Sequence, residues 1–182
     1  MILFLDYDGV LHPDAAYLVN GRPQLRADGS LFMWAPILAK AIHPYPEVQI
    51  VLSTSWVHVL KSFSRTRAYL PAALQARVIG ATWHSAMARH HEGAHRVDAS
   101  WFQELSRYAQ IARYVSRAGH RAEHWLAIDD DSEGWPVELR DHLVETNGAL
   151  GLASESARSD LSRRLQGMAA QTLLRSSPKC YA

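Results

Sequence analysis

Three short apolar runs, each ending in polar residues, constrain this chain more than any other feature. Ile2 to Leu5 ends at Asp6, Val48 to Leu52 ends at Ser53-Thr54-Ser55, and Trp125 to Ile128 ends at Asp129-Asp130-Asp131. A shorter fourth run is Arg77-Val78-Ile79-Gly80. Continuous apolar runs of this length fit strands buried on both faces. Between them lie segments with helical spacing. These are Leu31 to Ile42, Val57 to Leu74 with a break near Pro71, and Trp101 to Ala118 with Leu105, Ile111 and Val115 among its apolar positions. Gly119 is a stop signal for the last of these. Strands alternating with helices predict an α/β fold with a mostly parallel central sheet flanked by helices. Such sheets take ligands at the carboxyl ends of their strands, and the polar clusters fall at those ends.

The 182 residues fit a single domain over 1–182. Residues 11 to 30 differ in texture. Pro13, Asn20-Gly21, Pro23 and Asp28-Gly29 are turn signals, and Asn20-Gly21 can close a hairpin. They predict a small flap over the end of the first strand. Leu143 to Thr146 reads as a short edge strand, and Ser154 or Ser156 as the cap of a last helix over Ala157 to Met168. The tail, from about 170 to 182, is expected to be loosely ordered. The net charge of +1 gives no long-range attraction to nucleic acid or to a membrane. A single cysteine, Cys180, excludes an internal disulfide and fits a reducing compartment. Nothing resembles a signal peptide or a spanning helix. A cytoplasmic location is expected, with no membrane partner.

Asp6 and Asp8 sit two apart after a buried strand, followed by Gly9, which permits a sharp turn. Carboxylates this close repel one another unless a cation lies between them. Magnesium, a hard ion that takes oxygen ligands, is the natural partner. Asp129 to Asp131 at another strand end would complete the cage, because adjacent strands lie ~5 Å apart.

These residues carry a resemblance. Leu3-Phe4-Leu5-Asp6-Tyr7-Asp8-Gly9-Val10-Leu11 resembles the first motif of the haloacid dehalogenase (HAD) superfamily. Ile50-Val51-Leu52-Ser53-Thr54-Ser55-Trp56 resembles the second, and Trp125-Leu126-Ala127-Ile128-Asp129-Asp130 the fourth. The short chain and the Leu-Ser-Thr-Ser-Trp form resemble small, largely capless members, including HAD domains of RNA-repair-associated proteins. The resemblance implies a Rossmann-like fold and a magnesium-dependent phosphomonoester phosphatase. Asp6 would attack phosphorus to give an aspartyl phosphate. Asp8 would protonate the leaving oxygen and then activate water. Asp6, the Asp8 backbone carbonyl and Asp129 would hold the metal, with Asp130 ligating or orienting the shell. Thr54, or Ser53 one register away, would donate to the phosphoryl oxygens.

The third motif departs from the family. A Lys is usual there, and the stretch before the last acidic run has none. Arg107 is the first candidate to replace it and Arg113 the second, since a guanidinium binds phosphate well. Ser55, Trp56 and His12 are candidate substrate contacts, His12 near a leaving group or packed under the flap. His84, His90, His91 and His95 lack the spacing and the Cys partners of a zinc site, and read as a polar loop close enough to touch substrate. Trp83, like Trp56, is more often core than a base-stacking platform.

An open site under a small flap admits large phosphorylated substrates, such as a nucleic-acid end or a phosphoprotein, as well as small molecules. The competing reading is a non-catalytic phosphate- or metal-binding module on the same fold, motivated by the missing Lys. A phosphoacceptor receiver domain is disfavoured by the order of the acidic strand ends. A dehalogenase is disfavoured by Asp8.

Overall fold

The computed structural model describes residues 1–83, 102, 104–119 and 125–176. The His84–His95 segment, Trp101 and the last six residues of the tail lie outside the described residues. The strands are β1 (Ile2–Leu5), β2 (Ala16–Val19), β3 (Arg22–Leu25), β4 (Gln49–Leu52), β5 (Val78–Ala81), β6 (Trp125–Asp129) and β7 (Leu143–Glu145). The helices are α1 (Ala35–Ile42), α2 (Ser55–Val59), α3 (Phe63–Arg67), α4 (Ala72–Gln75), α5 (Arg107–Ala118) and α6 (Glu155–Ser176). The main sheet has the order β5-β4-β1-β6-β7, and all its pairings are parallel.

Side chains alternate across the sheet and divide the core in two. Leu3 and Leu5 of β1, Ile50 and Leu52 of β4, and Leu126 and Ile128 of β6 join one cluster with Leu38 of α1 and Leu161 of α6. Ile2, Phe4, Val51, Trp125 and Ala127 face the other way and join Ile111 of α5. Right-handed crossovers explain why α1 and α5 lie on opposite faces. The chain steps from β1 through α1 to β4 in one direction, then returns from β5 through α5 to β6 in the other. The order therefore reverses beside β1, and a crevice opens where the ends of β1 and β6 meet.

Several local expectations hold. Asn20 and Gly21, with φ of 51° and 76°, close the β2–β3 hairpin. Gly119 (φ 67°) terminates α5 in the left-handed conformation. Others are corrected. The Leu31–Ile42 helix begins only at Ala35, after Phe32 at φ 63°. The Val57–Leu74 segment is three short helices, because Lys61 turns to φ 51° and Ser62 caps a new start by accepting from the Arg65 N–H. The Trp101–Ala118 helix has its described continuous part from Arg107, where the Ser106 hydroxyl accepts from the Ala109 N–H. The last helix runs past Met168 to Ser176, through the start of the segment expected to be loose. Among the described residues no helix is long and apolar enough to cross a membrane.

Candidate active site

Strand parity decides which side chains meet. Asp6 follows Ile2 and Phe4 on the α5 face of the sheet, and Asp129 follows Trp125 and Ala127 on the same face. The Asp6 N–H donates to the Ile128 carbonyl (3.2 Å), which extends the β1–β6 ladder up to the two carboxylates. Both are almost fully buried. Arg107, the first residue of α5, enters between them. Its Nη2 donates to Asp6 Oδ2 at 2.9 Å. Its Nε lies 2.9 Å from Asp129 Oδ2, an ion pair without hydrogen-bond alignment. A cation at a helix N-terminus opposes the helix dipole. Two buried carboxylates outweigh that cost here.

The remaining lone pairs are partly occupied. Asp6 Oδ1 accepts from the Tyr7 N–H (2.7 Å) and Asp129 Oδ1 from the Asp131 N–H (3.0 Å). Burial raises the pKa of Asp6, against the opposing pull of Arg107, the Tyr7 N–H and the Thr54 side chain, while Asp8 adds to the rise. Asp129 is pushed well above the usual carboxylate range by burial and by the Asp6 charge. Asp130 is raised to about 7, by burial first and then by Asp6 and Asp14. Burial alone would lower the Arg107 pKa, but Asp6, Asp129, Asp131 and Asp130 together raise it, so the guanidinium stays charged. One oxygen from each of Asp6, Asp129 and Asp130 lies within 4.8 Å of the other two. This cluster of acidic groups could hold a metal ion. Gly9 makes room for it. Its φ is +64°, and a Cβ there would lie 2.1 Å from Asp130 Oδ2. The Thr146 hydroxyl donates to the Gly9 carbonyl at 2.8 Å and ties this turn to the end of β7.

Asp8 points elsewhere. The indole N–H of Trp56 donates to its Oδ2 at 2.8 Å, and His12 Nε2 lies 3.1 Å from its Oδ1. His12 Nδ1 accepts from the Phe32 N–H at 3.4 Å, so in the neutral ring Nε2 carries the proton and donates to Asp8. Phe32 delivers that N–H from a left-handed backbone, a costly conformation for a bulky residue. The contacts that hold it are edge-on packing against Tyr7, His12 and Trp56, and stacking on Tyr69. The Asp8 carboxylate is therefore fixed by two N–H donors, with its side chain 19% exposed.

The expected residues thus converge, with adjustments. The carboxylates that cluster closely enough to hold a metal ion are those of Asp6, Asp129 and Asp130, whereas the Asp8 carboxylate faces Trp56 and His12. His12 is fully buried and meets Asp8, which leaves it no surface to offer a substrate. Thr54 caps α2 by accepting from the Trp56 N–H (3.4 Å), and its side chain is near enough to Asp6 to oppose slightly the rise of that carboxyl's pKa. Ser53 is buried, its hydroxyl without a partner among the described residues. Exposed Ser55 lines the grooves on both sides of the site. Arg107 rather than Arg113 reaches Asp6. Phe32 and Thr146 were not legible as site residues, because each arrives from a turn or the end of an edge strand. Ser106 was a usable signal, since a Ser cap would have placed Arg107 at the mouth of the helix.

Trp56→Phe keeps the ring and removes the donor to Asp8. If Asp8 transfers protons to a leaving group, this change lowers kcat about 10-fold or more for an alkyl phosphate and much less for para-nitrophenyl phosphate. Steady-state kinetics on both esters check it. An equal loss on both would mean Trp56 acts only through folding.

The family described as "HAD domain in Swiss Army Knife RNA repair proteins" matches residues 2–157. No curated protein and no solved structure matches the chain. The match spans both core layers and every strand of the sheet, and the chain belongs to this family of HAD domains.

Proposed function

We propose that this HAD domain is a magnesium-dependent phosphomonoester phosphatase that forms an aspartyl phosphate on Asp6. The observation that carries the reading is the pairing of a buried Asp6, held by Arg107, with a partly exposed Asp8 held by Trp56 and His12. Opposite environments two residues apart suit opposite tasks. An Asp6 carboxylate oxygen attacks phosphorus, the ester P–O bond breaks, and Asp8 gives its proton to the leaving oxygen. Water then attacks the phosphoryl group, Asp8 takes the water's proton, and the bond to Asp6 breaks to release phosphate. Arg107 and the Thr54 hydroxyl stabilise the charge on the phosphoryl oxygens.

Three carboxylates with, among the described residues, no nitrogen or sulfur ligand beside them suit magnesium. The buried Asp129 Oδ2, without an aligned hydrogen bond, is a fitting ligand atom. When bound, the ion would offset the negative charge that Asp6 presents to an incoming phosphate. The reading as a non-catalytic module rested on the missing Lys, and Arg107 on Asp6 removes that motive. The family's description and the small flap favour a phosphorylated nucleic-acid end as substrate.

The test is hydrolysis of para-nitrophenyl phosphate with magnesium or with EDTA. Turnover with magnesium alone is expected. Its absence at all magnesium concentrations would overturn the phosphatase reading. A second measurement concerns pH. Asp6, Asp129 and Asp130 all have folded pKa values above the unfolded value of 3.8. In EDTA their contribution to stability is full below about pH 4 and is lost as pH rises through the folded values, about 7 for Asp130. Thermal melts in EDTA should therefore fall between pH 6 and 8. Magnesium, which binds the ionised groups, should stabilise more at pH 8 than at pH 6. A melting temperature in EDTA that rises across this window would contradict the assignment.

A further inference from the structure

Two grooves flank Asp6, and they differ in charge. One is lined by Thr54, Arg107, Gln110 and Asp131, with a volume of about 330 Å³. It holds the guanidinium that meets Asp6. The other, of about 220 Å³, lies between the flap and α2 and contains Asp8. Ser55 and Val59, one turn apart on α2, border both grooves, which therefore meet along that edge. A phosphate ester can lie across it, with the phosphoryl group beside Arg107 and the leaving oxygen toward Asp8.

The second groove is apolar. The hairpin register sets Leu18 opposite Pro23 and Ala16 opposite Leu25. Alternation along the strands puts these side chains on one face of the flap, and Ala16, Leu18 and Pro23 line the groove. The Tyr17 ring, with Arg26 over it, belongs to the other face, where Tyr17 pairs with Gln24. Across the groove α2 supplies Trp56 and Val59. Among the described residues of the lining none is Lys, Arg or His, and Asp8 is the only charged one. Leu18 and Val59 stand on the two walls, 49% and 46% exposed. Large apolar side chains left exposed together mark a binding surface. An anionic leaving group would be costly there. Its charge would lose water against Leu18 and Val59, find no cation, and lie beside Asp8.

From this geometry we infer that the flap groove is a leaving-group subsite selective for an uncharged alcohol, with Leu18 and Val59 as its specificity-determining residues. The inference rests on the phosphatase reading above and adds the class of leaving group. A terminal nucleoside meets the requirement, because its nearest further charge lies beyond the sugar. A nucleoside diphosphate or a phosphorylated hydroxy acid does not. Leu18 is half-exposed on a two-stranded hairpin, so its replacement leaves the core untouched.

The experiment compares magnesium-dependent hydrolysis of 4-methylbenzyl phosphate and 4-carboxybenzyl phosphate. The methylene keeps the two leaving alcohols alike, so the esters differ in charge at the far end of the ring. The neutral ester should have a kcat/KM higher by about 10-fold. Leu18→Lys should bring that ratio close to one. Gln24→Lys places the same charge on the outer face of the hairpin. It should leave the ratio near the wild-type value at about 0.15 M salt, where charges more than about 8 Å apart are largely screened. A wild-type ratio at or below one overturns the subsite. So does a Leu18→Lys ratio equal to the wild-type one, or an equal shift in Gln24→Lys. Turnover of para-nitrophenyl phosphate without turnover of either benzyl ester overturns the subsite and leaves the phosphatase reading standing. No turnover of any ester removes both.

Discussion

Asp6→Asn abolishes magnesium-dependent hydrolysis of para-nitrophenyl phosphate, with kcat lowered by at least about 10⁴-fold, and does not lower the melting temperature. The two halves of this result have one cause. Asp6 is a buried carboxylate whose desolvation raises its pKa, and Arg107 only partly offsets that rise. An amide oxygen at this position can still accept from one of the two donors that meet Asp6, the Tyr7 N–H at Oδ1 or Arg107 at Oδ2, and the amide carries no charge to desolvate. A nucleophile kept buried and charged costs stability, and its neutral replacement restores it. An amide oxygen does not displace an alkoxide from phosphorus, so the covalent route closes. Kinetics at saturating magnesium and thermal melts in EDTA measure the two halves. Residual turnover within about 10-fold of wild type would rule out Asp6 as the nucleophile.

Arg107→Ala has the next largest effect, and it falls on stability and activity together. The guanidinium is the common partner of Asp6 and Asp129, whose side chains are 5% and 1% exposed. Its removal leaves two buried carboxylates without a counter-charge, a loss of about 3–5 kcal/mol. Chemical denaturation in EDTA should show that loss, and magnesium should recover part of it by entering among the same carboxylates. Turnover should fall about 10²–10³-fold, the usual effect of removing one donor to a developing charge. Arg107→Lys should lie between, since one ammonium cannot match both the Nη2 contact to Asp6 and the Nε contact to Asp129. Activity within threefold of wild type in Arg107→Ala would show that Arg107 only fills space.

Arg107 also marks the limit of what the sequence carries. β1, β4 and β6 were legible because each is a short apolar run buried on both faces, and their acidic or hydroxyl ends named Asp6, Asp8, Thr54, Asp129 and Asp130. The Asn20-Gly21 turn and the Gly119 stop were equally local, since each depends on backbone conformations that few residues adopt. The helix bounds between Val57 and Leu74 were not legible, because Lys61 takes a left-handed conformation that nothing in its own side chain demands.

The sequence by itself determined the layer architecture and the acidic strand ends, properties set by apolar periodicity and by residues adjacent in the chain. Only the tertiary structure decided that Arg107, 101 residues from Asp6, pairs with it, and that Asp8 turns from the acidic cluster toward Trp56 and His12. These depend on crossover handedness and strand parity acting across the whole sheet, and no local pattern of residues encodes such a meeting.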